Sequence, residues 1–411
     1  MKLAIVGVGG AGSRLVDRFL DAERRLDRPC CGQNVLVFDT SRPDLDALES
    51  VPKDRRVPVG DTYPGVDQSG PGADGDPELG AAVTKEERHE IRRSLDDLEV
   101  YRADAVVVFA GLGGGTGTGG GAVLIEEFQS IYDTPVYAAA TLPAADESDD
   151  RALNAVRGLK SFVPVADNVL LFDNDAWYPE VAVDGDGAES TDGDEDGDGP
   201  PWTPRDRREM NDVFTTRLVS LFGAGEFERS SIPETAVDTS DLMRTLATGG
   251  VSTIGRARLD EPRRGYFARF RSLLSRSSQD ESLEAPQITE LVRRALQSRL
   301  TISCDVTGAE RVMFVLSGPP GKLPRRGFEN ATYWLEEETG AAEVLAGDEP
   351  RKYTKRVTAT VLLSNVADVP RIKALHQEVL EGKSPAPDDS GGADHGDEDA
   401  SALTRTSNPD D

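Results

Sequence analysis

Residues 110–121 hold eight glycines, Ala110 and Leu112, two hydroxyl side chains, Thr116 and Thr118, and no charged group. Such a stretch suits one kind of chemistry. Without Cβ atoms the backbone approaches an anion closely, and successive N–H groups converge on its oxygens. A second glycine loop, residues 7–12, has the spacing G-x-G-x-x-G. Far along the chain, Asp238 and Asp241 stand three residues apart. Two carboxylates at that spacing can orient or polarise a water beside a phosphoryl group. They can equally be helix-start residues favoured by the dipole.

The elements that must position these groups follow from the flanking residues. Residues 105–109 form a continuous apolar, β-branched run, the mark of a buried strand, and residues 122–128 carry apolar side chains three and four apart, the mark of a helix. A strand, a glycine run and a helix start make a phosphate site, with about half a positive charge at the helix N-terminus. The same order recurs at the beginning. A strand at 3–6 enters the first glycine loop, and Leu15, Val16, Phe19 and Leu20 then share one helix face. Asp39, after a strand at 35–38, stands where a ribose hydroxyl could be held. A Gly/Pro/Asp-rich loop over 60–80 precedes an expected helix at 84–98, with Thr84 as N-cap and Glu87 three residues on. Further strands are expected at 136–142 and 169–172, with a helix to Leu159 between them. Alternation of this kind implies a parallel sheet with helices on both faces and ligands at the carboxyl ends of its strands.

Composition narrows the function classes. The 411 residues suggest two folded domains with additions. With 46 basic and 74 acidic side chains the formal net charge is −28, which argues against nucleic acid or anionic lipid as a general partner. Such acidity also keeps a chain soluble in concentrated salt, so a halophilic cytoplasm is expected. Cys30, Cys31 and Cys304 have no metal-ligand spacing, the three histidines are scattered, and no metal-ligating residue is assigned. No run approaches the ~18 apolar residues of a membrane span and no signal peptide is read, so the protein is expected to be cytoplasmic.

These residues together resemble the tubulin/FtsZ superfamily, and within it the haloarchaeal tubulin-like CetZ proteins. Residues 113–119 match the superfamily signature GGGTG[ST]G, and 7–12 match its first phosphate loop. Residues 70–75 resemble the loop that senses the γ-phosphate. Pro143, Glu147 and Arg151 keep the spacing of the ribose loop, Asn174 and Asp175 match the loop near the base, and Asn211 and Asp212 match the start of the central helix. Residues 237–242 resemble the synergy loop, which in the family enters the site of the next subunit. Three positions depart from the patterns: Gly10 where CetZ proteins usually have Gln, Arg14 where FtsZ has Asn, and Ala236 where FtsZ has the first Asn of the synergy loop.

The resemblance, which spans roughly residues 1–382, implies an α/β fold: a Rossmann-like parallel-sheet GTPase domain joined by a central helix to a smaller α+β domain. The expected divisions are 1–180 for the GTP-binding domain, 181–201 for a disordered acidic insertion, 202–235 for the central helix and connector, 236–382 for the synergy loop and C-terminal domain, and 383–411 for a disordered acidic tail. Within the second domain, strands are expected at 301–306, 311–317 and 357–366. Helices are expected near 286–300, 328–339 and 369–380. A basic, aromatic segment at 263–276 is expected to pack against the second domain, or else to form a lateral filament contact or a membrane-surface helix. The sequence at 192–203 opens like an EF-hand loop but has Thr203 at its last position and is read as a solvated insertion.

By the same resemblance, GTP or GDP is held by Gly9, Gly10, Ala11, Gly12, Ala73, Gly113, Gly114, Gly115, Thr116 and Gly117, with Glu147, Arg151, Asn174 and Asn211 at ribose and base. Asp238 and Asp241 complete a neighbour's catalytic site. Mg²⁺ is expected as well, because neither loop ends in the Gly-Lys-Ser/Thr of a Walker motif. The implied function is a GTP-hydrolysing cytoskeletal protein forming head-to-tail homopolymers in cell-shape control, near the envelope. Expected partners are the chain itself and related tubulin-like paralogues, with weak or indirect membrane contact and an adaptor for the tail. Two alternatives stand beside it: a nucleotide-binding paralogue without turnover, and a Rossmann NAD(P)-dependent oxidoreductase built on residues 7–12.

Overall fold

The structure, a computed structural model, describes residues 1–177, 206–224, 238–259, 283–319, 323–351, 354 and 356–382. The acidic segment 181–201, the EF-hand-like loop, Ala236 and Val237, the basic stretch 263–276 and the tail 383–411 lie outside the described residues.

Six parallel strands build the first half of a sheet: β1 (Leu3–Val8), β2 (Val35–Asp39), β3 (Arg56–Pro58), β4 (Ala105–Gly111), β5 (Val136–Leu142) and β6 (Asn168–Asp173), in the order β3-β2-β1-β4-β5-β6. The apolar run at 105–109 is buried on both sides because its alternate residues serve two cores. Val106, Val108 and Ala110 pack with Phe128 of α5 (Gly121–Ile131) and Phe162 of α6 (Asp149–Phe162). Val107 and Phe109 pack with Phe19 of α1 (Gly9–Leu26) and Phe214 of α8 (Arg207–Phe222). Short helices α2 (Arg42–Asp46) and α7 (Asn174–Trp177) follow β2 and β6, and α3 (Pro77–Glu86) and α4 (Arg88–Leu95) complete this half.

The expected single helix at 84–98 is therefore two. Asp76 is the true cap, accepting from the N–H groups of Glu78 and Leu79, and Pro77 opens the helix at a position that needs no donor. Thr84 is buried inside α3, where its hydroxyl donates to the Gly80 carbonyl.

From Val213 to Phe222 helix α8 is buried on every side, its polar residues Thr215, Thr216, Arg217 and Ser220 included. Its buried Arg217 stacks over Trp177 at 4.6 Å and donates to the Ile254 and Arg299 carbonyls at 3.0 and 2.8 Å. Arg18 of α1 reaches Asp212 of α8 at 2.7 Å.

The sheet continues beyond β6. After α9 (Thr239–Leu246), β7 (Val251–Leu259) pairs parallel with β6 and antiparallel with β10 (Val357–Ser364). Strand β10 then pairs antiparallel with β8 (Arg311–Gly318), and β8 parallel with β9 (Glu343–Pro350), giving one sheet of ten strands. Helices α10 (Ala285–Gln297), α11 (Arg325–Thr339) and α12 (Pro370–Gly382) complete the second half. The expected strand at 301–306 is absent. The Ile254 and Ile302 N–H groups donate to threonine hydroxyls, Thr301 and Thr253, instead of to ladder carbonyls, and Asp305 caps a short turn at Val306–Gly308. Among the described residues no helix is long and apolar enough to cross a membrane.

One buried ion pair joins the halves. Arg28, after α1, meets Glu349 of β9 and donates to the Ser220 carbonyl and the Ser317 hydroxyl. Removing one partner strands the other charge in the interior, which typically costs ~3–5 kcal/mol. Glu349→Ala should lower the unfolding free energy by about that much in denaturant titrations. Arg102→Ala, which loses an exposed pair with Glu99, should stay within about 0.5 kcal/mol.

Candidate functional site

The loops that follow β1, β4, β5 and β6 meet at the carboxyl edge of the sheet and wall a cleft of about 290 Å³. Its floor is backbone. Gly9, Gly10 and Ala11 come from the first loop, Gly113, Gly114, Gly115, Thr116 and Gly117 from the second. The loops touch: Gly9 has φ +70°, and a Cβ on it would lie 2.7 Å from the Gly117 nitrogen, so only glycine serves there. In front of Gly114 the space is open, with no atom within 4 Å of where a Cβ would stand. From Thr116 to Gly120 the backbone makes one π-helical turn before α5 begins, a widening common at functional sites.

The side walls carry charge. Glu147 is almost buried and accepts from Arg151 at 2.8 Å, from the Ala144 N–H at 3.1 Å, and pairs with Arg207 at 3.2 Å. Both arginines remain half exposed at the mouth, so the cleft presents cationic groups there despite the acidic chain. At the other side Arg14 pairs with Asp44 at 3.0 Å, and this pair fills the room that a side chain at Gly10 would take: a Cβ there would lie 2.3 Å from Asp44 Oδ2. Two acceptors lining the cleft, Asn174 Oδ1 and Asp39 Oδ2, are buried and find no hydrogen-bond partner among the described residues. Buried acceptors of this kind call for a ligand or water.

Eleven of the expected binding residues thus line one cleft: Gly9, Gly10, Ala11, Gly113, Gly114, Gly115, Thr116, Gly117, Glu147, Arg151 and Asn174. Three others do not. Gly12 is a packing glycine, since a Cβ there would lie 2.2 Å from the Phe109 carbonyl oxygen and push α1 off β4. The Ala73 N–H donates to Thr40 Oγ1 at 3.0 Å, and Thr40 in turn shares a 2.6 Å hydrogen bond with Thr116. Pro71, Asp74 and Gly75 of the same loop reach the cleft in its place. Asn211 lies one turn along α8 from Arg207, and of the two Arg207 lines the cleft. Asp39, Asp44, Asp74 and Arg207 line the cleft as well. Asp39 is marked in the sequence by its place after a strand and Asp74 by the 70–75 loop, whereas Asp44 and Arg207 arrive by tertiary placement, with only the Ser41-x-x-Asp44 helix-start spacing to mark the first of them.

Asp238 and Asp241 lie away from this cleft. They form a capping box at the start of α9, the Asp241 N–H donating to Asp238 at 3.0 Å and the Asp238 N–H to Asp241 at 3.2 Å. Helix α9 ends at the amino edge of the sheet, where the Leu246 carbonyl accepts from Asn168, the first residue of β6. The cleft stands at the opposite edge.

Burial, reinforced by the charge of Asp44, pushes the Asp39 carboxyl up to about 7. The folded protein therefore holds this proton over a range in which the unfolded chain, with an ordinary aspartate near 3.9, has lost it. Stability falls as pH rises between about 4 and 7. Asp39→Asn should be more stable than the wild type at pH 8 by on the order of 3 kcal/mol, the gap closing toward pH 4, in thermal melts of nucleotide-free protein.

With this geometry in hand, comparison with known proteins is informative. The GTPase domain of the tubulin/FtsZ family matches residues 2–181, and the C-terminal domain of tubulin-like CetZ proteins matches 206–381. The tubulin-like protein CetZ1 of Haloferax volcanii is 40% identical over 388 residues, covering 93% of this chain and 92% of its own. A GDP-bound monomer of CetZ1 from Haloferax volcanii superposes with a TM-score of 0.74 at 37% identity, covering 93% of this chain and all of that one. CetZ2 from the same organism, a GTPγS-bound protofilament, superposes with a TM-score of 0.73 at 30% identity, covering 93% and 98%. Fold, cleft and sequence agree: the chain belongs to the CetZ family of tubulin/FtsZ GTPases.

Proposed function

We propose that this protein binds GTP in the cleft at the carboxyl edge and hydrolyses it only when a second copy docks there head to tail. The observation that carries this reading is the separation of the two sets of residues. The anion cradle stands at one edge of the sheet and the paired acids, Asp238 and Asp241, belong to the other. A molecule so built cannot bring its own acids to its own cleft. A heterologous contact between opposite ends does so, and because it does not close it generates an open filament. Family membership supports a filament role in cell shape, and we place the filament near the cell envelope as part of the same proposal.

In this reading the amides of Gly9 to Ala11 and of 113–117 hold phosphate oxygens, and the Thr116 hydroxyl is fixed for the same work by Thr40. Arg151 and Arg207, braced by Glu147, face the ribose end, and Asn174 offers its unpartnered oxygen to the base. The neighbour's Asp238 and Asp241 orient the attacking water. The cleft fits Mg²⁺ as an ion carried by the nucleotide: no group of three possible ligands comes together among the described residues, so phosphate oxygens and water supply most of its shell. When bound, the ion offsets phosphate charge that these uncharged loops, lacking a lysine, leave standing. Neither histidine nor lysine lines the cleft among the described residues, which weighs against the NAD(P)-dependent oxidoreductase alternative.

Two experiments test the reading. Asp241→Ala should bind GTP as the wild type does, lose turnover by ~100-fold or more and form longer-lived polymer. Equal phosphate release by wild type and variant in molar KCl overturns the assignment. Turnover per subunit in the wild type should also climb with protein concentration, and a flat specific activity from dilute to concentrated protein counts against a shared site.

A further inference from the structure

The last helix of the described chain reaches the cleft from behind. Arg371 lies in the first turn of α12, and its side chain is only 9% exposed. Its guanidinium donates to the Pro143 carbonyl at 3.1 Å and pairs with Asp173 at 3.4 Å and with Glu378, two turns along its own helix, at 3.0 Å. Pro143 lines the cleft, in the loop that also carries Glu147 and Arg151. Asp173 ends β6 and immediately precedes Asn174, which lines the cleft beside it. These two loops are already laced together, since the Asp175 N–H donates to Asp173 and the Ala145 N–H donates to Asp175. Arg371 adds the only one of these links that runs to α12.

The contact is not generic packing. A planar guanidinium fixes the directions in which it meets a carbonyl and a carboxylate, whereas the three donors of a lysine sit on one rotatable point charge and set no such relation. Glu378 aligns the fork from the solvent side. Apolar residues of α12, Ile372 and Leu375, already bury the helix in the core, so Arg371 is not needed for docking alone.

We propose that Arg371 is a positioning residue for the bound nucleotide: it pins the Pro143 loop and the Asp173–Asn174 turn to the C-terminal helix, so that nucleotide affinity depends on how that helix is seated. The proposal rests on the reading of the cleft as a guanine-nucleotide site. It makes α12, which leads into the acidic segment beyond residue 382, a lever on the ribose and base end of the cleft. The phosphate cradle, built on β1 and β4, is left untouched.

The test is titration of full-length protein with a fluorescent GDP derivative, using wild type, Arg371→Gln, Arg371→Lys and, as a control on the same helix, Lys373→Gln, which breaks an exposed pair with Asp368. Arg371→Gln should weaken binding about tenfold, the size of one lost charge-assisted contact, with saturating GTP turnover nearly unchanged. Arg371→Lys should recover part of the loss, and Lys373→Gln should stay within about twofold. Wild-type and Arg371→Gln affinities within twofold of each other would overturn the proposal, as would an equal loss in Lys373→Gln. Failure of the wild type itself to bind GDP would instead overturn the reading of the cleft. If Arg371→Gln does not fold, hydrogen exchange on the wild type decides. GDP should slow amide exchange at residues 370–373 as well as at 144–147, and an unchanged α12 overturns the proposal.

Discussion

The contact of Gly9 with Gly117 is the constraint on which the rest of the molecule depends. Two loops from adjacent parallel strands, β1 and β4, approach until a single methyl group would force them apart. Everything around them keeps that approach. The strands are held in register over six residue pairs, α1 is drawn onto β4 by Gly12, and α3 packs its Gly80 against the backbone at Gly115. The result is a concave floor of backbone amides, and side chains enter only at the rim.

What could be read in the residues, and what could not, follows from that division. The two glycine loops were legible because their flanks are unambiguous: apolar β-branched runs before them, helical periodicity after. The parallel sheet followed from the alternation, and the central helix expected within 202–235 is α8, Arg207–Phe222. The capping signal at Thr84 misled because a stronger one lay upstream. Asp76-Pro77 fixes both the cap and the dihedral of the first helical residue, and Thr84 is spent on an internal carbonyl. The run at 301–306 has strand composition, yet hydroxyls of Thr253 and Thr301 take over the hydrogen bonds that a ladder would use. Strands β7 and β9 carry Arg256, Arg258, Glu343 and Glu349 and so hide their pattern. The rim residues were hardest. Which of Arg207 and Asn211, or of Asp74 and Ala73, faces the cleft turns on one helix turn or one step of loop, which no local pattern specifies.

The second half of the sheet gives the cleft a frame. Strand β7 touches β6 over two residue pairs only, so the join between the halves relies on side chains. Arg217 serves it from the centre, stacked on Trp177 and bonded to two carbonyls of the far half. Arg28 serves it from the edge, tied to Glu349 and to the end of α8. Both are cations sunk among apolar residues, and each is held by several acceptors at once. Such groups add direction to a join that apolar packing alone would leave free to slide.

The seating of these cations has a further consequence in brine. At molar ionic strength the reach of an exposed charge shrinks to ~3 Å, and contacts such as Arg102 with Glu99 become nearly silent. Counter-ions cannot enter between Arg28 and Glu349. The surface can then carry its large excess of acid without strain, while the few pairs sealed inside keep their full strength. Diluting the salt reverses the balance, since the crowded exterior begins to push outward while the interior is unchanged. On this account dilution loosens the chain from the outside in, and the join beneath α8 is the last part to give way.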